Sequence, residues 1–280
     1  MAVRSADNGR TWSKPTVAID TTHDDRDPSI ACLKDGTLLL NWFTPPLPKS
    51  DEDRLAIRLA RSTDQGKTWS EPVKLELKSP YDFACSSPAR ELSDGSLILG
   101  LYHEDRPHNL AFGATVKSYD GGRTWNDPAL IGENAGVYLD AETDVVEFKD
   151  HRLLAALRSS KTDMHFALSE DAGKSWGPVQ SLGFKGHCPY LLRHSSGVVL
   201  LAHRIPATSL HWLSDDKKSW QGPVQIDSVV GAYPSMIELP DGLVYCVYYE
   251  EGKGSSIRGT RLRVAPGGVE VVADSPPVQK

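Results

Sequence analysis

SYDGGRTW, residues 118–125, is the stretch that decides the fold, because the same frame returns along the chain. It reads SADNGRTW at 5–12, STDQGKTW at 62–69 and SEDAGKSW at 169–176. A decayed copy, LSDDKKSW, ends at Trp220, with Leu213 in place of the serine and Lys217 in place of the glycine. From tryptophan to tryptophan the steps are 57, 56, 51 and 44 residues, close to the length of one propeller blade. The frame has a physical logic. An aspartate accepts hydrogen bonds from the N–H groups of a turn, and the glycine supplies a positive φ. The tryptophan brings a large apolar surface to bury between neighbouring repeats.

Working outward, each repeat after the first is preceded by two apolar strands joined by a tight turn. The pairs read PSIACLKDGTLLLNWF (28–43), ARELSDGSLILGLY (89–102), DVVEFKDHRLLAALR (144–158), PYLLRHSSGVVLLAHR (189–204) and PSMIELPDGLVYCVYY (234–249). Asp35-Gly36, Asp94-Gly95, Ser196-Gly197 and Asp241-Gly242 are hairpin signals. Each unit therefore reads as strand A, hairpin, strand B, loop, strand C, repeat turn, strand D. Helical periodicity is not sustained anywhere. Full units are expected at roughly 27–77, 84–131, 142–182 and 187–226, and a fifth from Tyr233 through 255–264 to about 268–273. The first nineteen residues supply only the C–D half of a blade.

Composition narrows the function classes. The chain has 280 residues and a net charge of −6, with no Lys/Arg block to act as a nucleic-acid footprint. No window approaches the length of an apolar membrane span. The N-terminus shows no charged start with an apolar core, so no signal peptide is visible. A full-length chain would then be cytoplasmic, and a fragment could come from a secreted or periplasmic protein. Cys32, Cys85, Cys188 and Cys246 are far apart and read as small apolar strand residues. No paired ligand spacing suggests a metal, and no cofactor is expected.

Strand geometry alone selects a candidate site. The A–B and C–D turns lie at one end of each blade. The starts of A strands and the ends of B strands therefore meet at the other. A-strand starts carry Arg26-Asp27, Ser86-Ser87, Glu142, His187-Cys188 and Tyr233. B-strand ends carry Trp42, His103-Glu104, Arg158, Arg204 and Tyr249-Glu250. Arginines beside carboxylates and a phenol suit an anionic sugar, because a guanidinium fork binds a planar carboxylate well. Arg26, Trp42, His103 and His187 are expected to line such a pocket.

The repeat is the Asp box, and the chain resembles the sialidase (neuraminidase) superfamily over nearly its whole length. The resemblance implies an all-β fold and one domain over 1–280. The expected form is a six-bladed β-propeller of four-stranded antiparallel blades, with the N-terminal blade incomplete. Either the chain is a fragment, or the N-terminal hairpin closes a blade with C-terminal strands. RDPSI (26–30) resembles the segment bearing the acid/base aspartate, which assigns Asp27. ETDVVEFKDHRLLAALRSS (142–160) resembles the segment that assigns Glu142 and Arg158, and AYPSMIEL (232–239) the one that assigns Tyr233. LLAHRIP (200–206) places Arg204 as a further clamp arginine.

The implied chemistry is a retaining exo-glycosidase on a terminal acidic sugar, with Tyr233 as nucleophile. Glu142 would be its base, since a free phenol has a pKa near 10. Asp27 would be the acid/base, and Arg158 and Arg204 would hold the substrate carboxylate. Family members also carry a clamp arginine in a Phe/Tyr-Arg-Ile-Pro motif on the first inner strand, which is absent here. Arg204-Ile205-Pro206 ends a B strand and is read as a coincidence. A polysaccharide lyase or another glycosidase on the same propeller, and a non-catalytic glycan-binding propeller, are the alternatives, because fold alone does not decide function.

Overall fold

The computed structural model describes residues 1–46, 54–205, 207–214, 219–252 and 255–272. The central residues of the decayed repeat, including Lys217, lie outside the described residues. So do Pro206 and residues 47–53. The chain divides into two compact units, Met1 with Val17–Ser181, and Ala2–Thr16 with Leu182–Lys280.

The first unit holds three four-stranded antiparallel sheets. The first is β1 (Arg26–Cys32), β2 (Leu38–Thr44), β3 (Ala56–Ser62) and β4 (Val73–Lys74). The second is β5 (Arg90–Glu91), β6 (Leu97–Asp105), β7 (Leu110–Ser118) and β8 (Ala129–Ile131). The third is β9 (Thr143–Glu147), β10 (Leu153–Leu157), β11 (His165–Ser169) and β12 (Gln180–Ser181). The second unit holds two more. One is β13 (His187–Arg193), β14 (Val199–Arg204), β15 (Ser209–Leu213) and β16 (Gln221–Gln225). The other is β17 (Gly231–Glu238), β18 (Leu243–Glu250), β19 (Ile257–Ala265) and β20 (Gly268–Val272). In every sheet the strands pair in chain order, so each is one A–B–C–D blade.

Strand β10, LLAAL, is buried at all five positions, which explains why the second strands read as continuous apolar runs rather than alternating ones. In the first unit Leu97, Leu99, Phe112 and Leu39 pack in one cluster and Leu153, Leu157 and Ile98 in another. In the second unit Leu200, Val244 and Leu262 form the core. Burying one such side chain contributes about 1.5–3 kcal/mol. The second and third blades approach closely at Gly100, where an added Cβ would stand 2.1 Å from the Thr143 carbonyl oxygen. Only glycine fits between those backbones.

The repeats fold as their residues require. In the second copy Ser62 Oγ donates to Asp64 Oδ1 (2.8 Å) and accepts from Gly66 N (2.8 Å). Asp64 in turn accepts from the Thr68 amide (2.9 Å) and hydroxyl (2.6 Å). Gly66 has φ 76°. The same pattern recurs at Asp7, Asp120 and Asp171.

The blade count corrects the expectation of six. The fold is a five-bladed β-propeller, and the N-terminal segment is not part of a sixth blade. Residues 2–16 form one isolated bridge, Ala2 with Thr16. The C-terminal strands β17–β20 already make a complete blade, so they leave no gap for a hairpin to fill.

The N-terminal Asp box docks on that blade instead. Arg261 Nη2 donates to the Asn8 carbonyl at 2.6 Å. Trp12 lies 6.2 Å from the Tyr245 ring, and Gly9 abuts the same ring. Two other boxes dock in the same way in the first unit. The Arg61 guanidinium donates to the Gly121 carbonyl, and Lys117 Nζ to the Ala172 carbonyl at 2.8 Å. In all three the accepting carbonyl is the third residue after the box serine, and the cation stands on a third strand. The N-terminal copy therefore behaves as the box that follows the fifth blade.

Candidate functional site

Several of the candidate residues in each unit share one backbone device. In β1 the register slips between Arg26 and Ser29, so Asp27 and Pro28 together oppose Trp42. The same slip occurs at Cys188-Pro189 in β13 and at Tyr233-Pro234 in β17. The bulged residue has a positive φ each time: 49° at Asp27, 54° at Cys188 and 50° at Tyr233. Glu142, just before β9, has φ 23°. Left-handed backbone at a non-glycine residue is strained, and such strain persists where the surroundings over-determine it. A bulge re-aims the side chain it carries. Three of the four strained positions carry residues assigned to chemistry from sequence, namely Asp27, Glu142 and Tyr233.

Within the first unit, Asp27, Glu142 and Arg158 come together. Glu142 is 2% exposed, and Arg158 Nη1 donates to both its carboxylate oxygens at 2.8 Å. The Arg158 amide also donates to the Glu142 carbonyl at 3.2 Å. Asp27 is half-buried, and Ser86 Oγ donates to its Oδ2 at 2.7 Å. Burial pushes the Asp27 carboxyl above its ordinary range, against the opposing pull of the Ser86 hydroxyl, Arg26 and Arg158. Tyr102 on β6 closes the cluster. Burial raises its phenol strongly, and the nearby Asp27 and Glu142 carboxylates add to that. It therefore stays a neutral hydrogen-bonding group.

The other candidates of this unit are placed differently. Arg26 pairs with Asp24 at 2.5 Å on an exposed edge. Trp42 is 1% exposed, and its indole N–H donates to Asp25 at 2.8 Å. His103 packs among Tyr81, Phe83 and Phe112, with Nδ1 2.8 Å from the Asp82 carbonyl. Beside the cluster, Arg90 holds Asp144 through Nε at 3.1 Å and Nη2 at 2.6 Å. Tyr102, Arg90 and Asp144 were not singled out from sequence. They lie inside strands, where nothing but the fold marks them. Ser86 was marked only as a strand start.

The second unit holds Arg204, His187 and Tyr233. His187 pairs with Arg204 across β13 and β14. Arg204 grips Glu251, which also accepts from the Tyr249 hydroxyl at 3.3 Å. Tyr233 stacks on Tyr249, with centroids 6.1 Å apart and planes at 16°. Burial and the Glu251 carboxylate raise the Tyr249 phenol. Beside Arg204 in sequence, His203 bonds His211 ring to ring at 2.9 Å, and Phe184 lies flat on His211 at 3.7 Å. Burial lowers both imidazoles to about 4, so they are neutral at pH 7.

Among the described residues no group of three or more His, Cys, Asp or Glu side chains could hold a metal ion. No helix among them is long and apolar enough to cross a membrane.

Comparison with known proteins agrees with this architecture. The family model of the BNR repeat-like domain matches residues 1–246. A curated sialidase of Micromonospora viridifaciens is 29% identical over 294 residues, covering 90% of this chain and 44% of its own length. The chain thus spans less than half of that relative. A solved structure of a protein of unknown function from Dyadobacter fermentans superposes with a TM-score of 0.81 at 23% identity, covering 94% of this chain and 83% of that one. Trypanosoma rangeli sialidase in complex with sialic acid superposes with a TM-score of 0.68 at 18% identity, covering 90% and 47%.

Proposed function

The chain belongs to the family of BNR repeat-like domains, and from that premise we propose that it is a sialidase-type exo-glycosidase acting on a terminal acidic sugar. The observation that carries this reading is the Asp27 cluster. A half-buried carboxyl on a strained bulge, raised above its ordinary range, is a suitable general acid. Beside it, Arg158 is already shaped around a carboxylate, the group that an acidic sugar presents.

In this reading Asp27 protonates the leaving glycosidic oxygen and later takes a proton from water. Tyr233 attacks the anomeric carbon and gives up its phenolic proton, with Glu142 as the accepting base. A neutral phenol meets less repulsion from the substrate carboxylate than an Asp or Glu nucleophile. Arg158 and Arg204 serve the substrate carboxylate. Support for the assignment of Tyr233 and Arg204 comes from the sequence resemblance.

The test is turnover of a fluorogenic sialoside by the full chain and by Tyr233→Phe. Turnover that disappears in the variant agrees with the proposal, and turnover that persists removes Tyr233 as nucleophile. A panel of acidic polysaccharides is run alongside. An ultraviolet-absorbing unsaturated uronate would replace the hydrolase reading with a lyase, and sugar binding without turnover would replace it with a lectin.

A further inference from the structure

We propose that Ser86 is a positioning residue for Asp27: its hydroxyl, fixed by the segment that carries it, orients the carboxyl and steadies it when it is charged. This rests on the reading of Asp27 as the acid/base, and it names a residue that no part of that reading assigned.

The geometry is specific. Ser86 Oγ stands 2.7 Å from Asp27 Oδ2, a short charge-assisted distance. The serine is not a loose surface rotor. Its carbonyl accepts from Ser29 Oγ at 3.2 Å, so β1 holds the segment from one side. The next residue is pinned by Asn41, which is fully buried on β2. Asn41 Nδ2 donates to the Ser87 carbonyl at 3.0 Å, and its Oδ1 accepts from the Ala89 amide at 3.3 Å. The isolated bridge between Ala84 and Tyr102 ties down the other side. Four contacts from three strands thus fix one hydroxyl opposite one carboxyl. Such an outer support is what keeps a reacting group within working geometry.

The proton balance is simple. When Asp27 gives its proton to the glycosidic oxygen, a carboxylate is left, and the Ser86 O–H donates to it. Ser86 keeps its proton throughout, and Asp27 is reprotonated by the water that attacks the intermediate. The groups facing Asp27 are Arg26 on its own strand, Arg158, the Tyr102 phenol and the Cys85 thiol. Both arginines favour the charged carboxyl and burial opposes it. The Ser86 hydroxyl acts with the arginines, so its removal moves Asp27 further toward the neutral form.

The experiment is a carboxyl-carbon NMR titration of the full chain, with the Asp27 signal identified by its loss in Asp27→Asn. In Ser86→Ala the Asp27 midpoint moves up, and in Ser86→Thr, which keeps a hydroxyl, it returns toward the wild-type value. Ser86→Gly is the second deletion if the alanine variant does not fold. An Asp27 midpoint unmoved by hydroxyl removal, or moved equally by Ser86→Thr, overturns the inference. The readout needs no substrate. Absent sialoside turnover with a moved midpoint counts against the proposed function only. Turnover with an unmoved midpoint counts against the role of Ser86 only.

Discussion

Asp27 and Asp64 are the same residue type in the same blade, and their surroundings treat them in opposite ways. Register places Ser62 opposite Leu38 and Leu38 opposite Cys32. The Asp64 turn is therefore at the end of the sheet away from Asp27. Asp64, itself only partly exposed, receives donors from Thr68 and Ser62, which hold it far below the ordinary carboxylate range. Asp27 receives one hydroxyl, and burial wins, raising it. A carboxylate saturated with donors is fixed as an acceptor and serves as a structural pin. One left short of donors in a half-buried place keeps its proton to a higher pH than a free carboxyl does. The difference separates the end of the blade that builds the fold from the end where the proposed reading puts the acid/base.

The largest expected effect follows from that division. Under the proposed reading, Asp27→Asn lowers sialoside turnover by about 100- to 10,000-fold, the usual range for a general acid. It costs no folding stability, because a buried charge is removed. A sharp fall in denaturation midpoint in this variant would break the comparison.

Next is the other end of the blade. Trp176 is packed in a first-unit core cluster, and its indole N–H donates to buried Thr115 at 2.9 Å. Trp176→Ala costs about 3 kcal/mol by urea unfolding. Ser118→Ala strands the buried Gly122 amide, which now donates to Ser118 Oγ at 2.7 Å, at a cost of about 1–3 kcal/mol. Under the proposed reading, KM for a sialoside is unchanged in whatever fraction stays folded.

The smallest effect is in pH dependence, and its sign differs between the two ends. The folded chain holds the Asp27 proton to a higher pH than the unfolded chain does. Its charge therefore costs stability as pH rises above the ordinary carboxylate value, with the full cost above the folded midpoint. Box aspartates are depressed, to about 2 at Asp171. Their contribution is present above the ordinary value and is lost as pH falls toward the folded one. Unfolding free energies measured from about pH 3 to 7 should show Asp27→Asn gaining on wild type as pH rises. The deficit of Asp171→Asn should shrink as pH falls. Parallel curves would contradict the assignment.

How far these features were legible in the sequence depends on how local their physics is. The box turns were readable because one short segment supplies the serine, the aspartate, the glycine and the tryptophan. Hairpins at Asp35-Gly36 and its equivalents gave the strand order for the same reason. The blade number was not local. It depended on whether residues 2–16 would find inner strands, and they found Tyr245 and Arg261 instead, far along the chain.

The strand-start residues Asp27, Glu142 and Tyr233 were legible as positions, but the bulges at Asp27-Pro28, Cys188-Pro189 and Tyr233-Pro234 were not. Their positive φ was not legible, because the residue before a proline is ordinarily extended. Trp42 and His103 read as pocket lining from their place at strand ends. The fold sets Trp42 on Asp25 and His103 among aromatic rings. Strand position alone does not say which partner a side chain meets.

The central claim is that the two ends of a blade shift one residue type in opposite directions from its ordinary range. One carboxyl-carbon titration of the wild-type chain, following Asp27, Asp64, Asp120 and Asp171 in the same sample, tests it most directly. The account predicts that the three box aspartates titrate below the ordinary carboxylate range and Asp27 above it. An Asp27 midpoint at or below that range, together with the box aspartates, would contradict it.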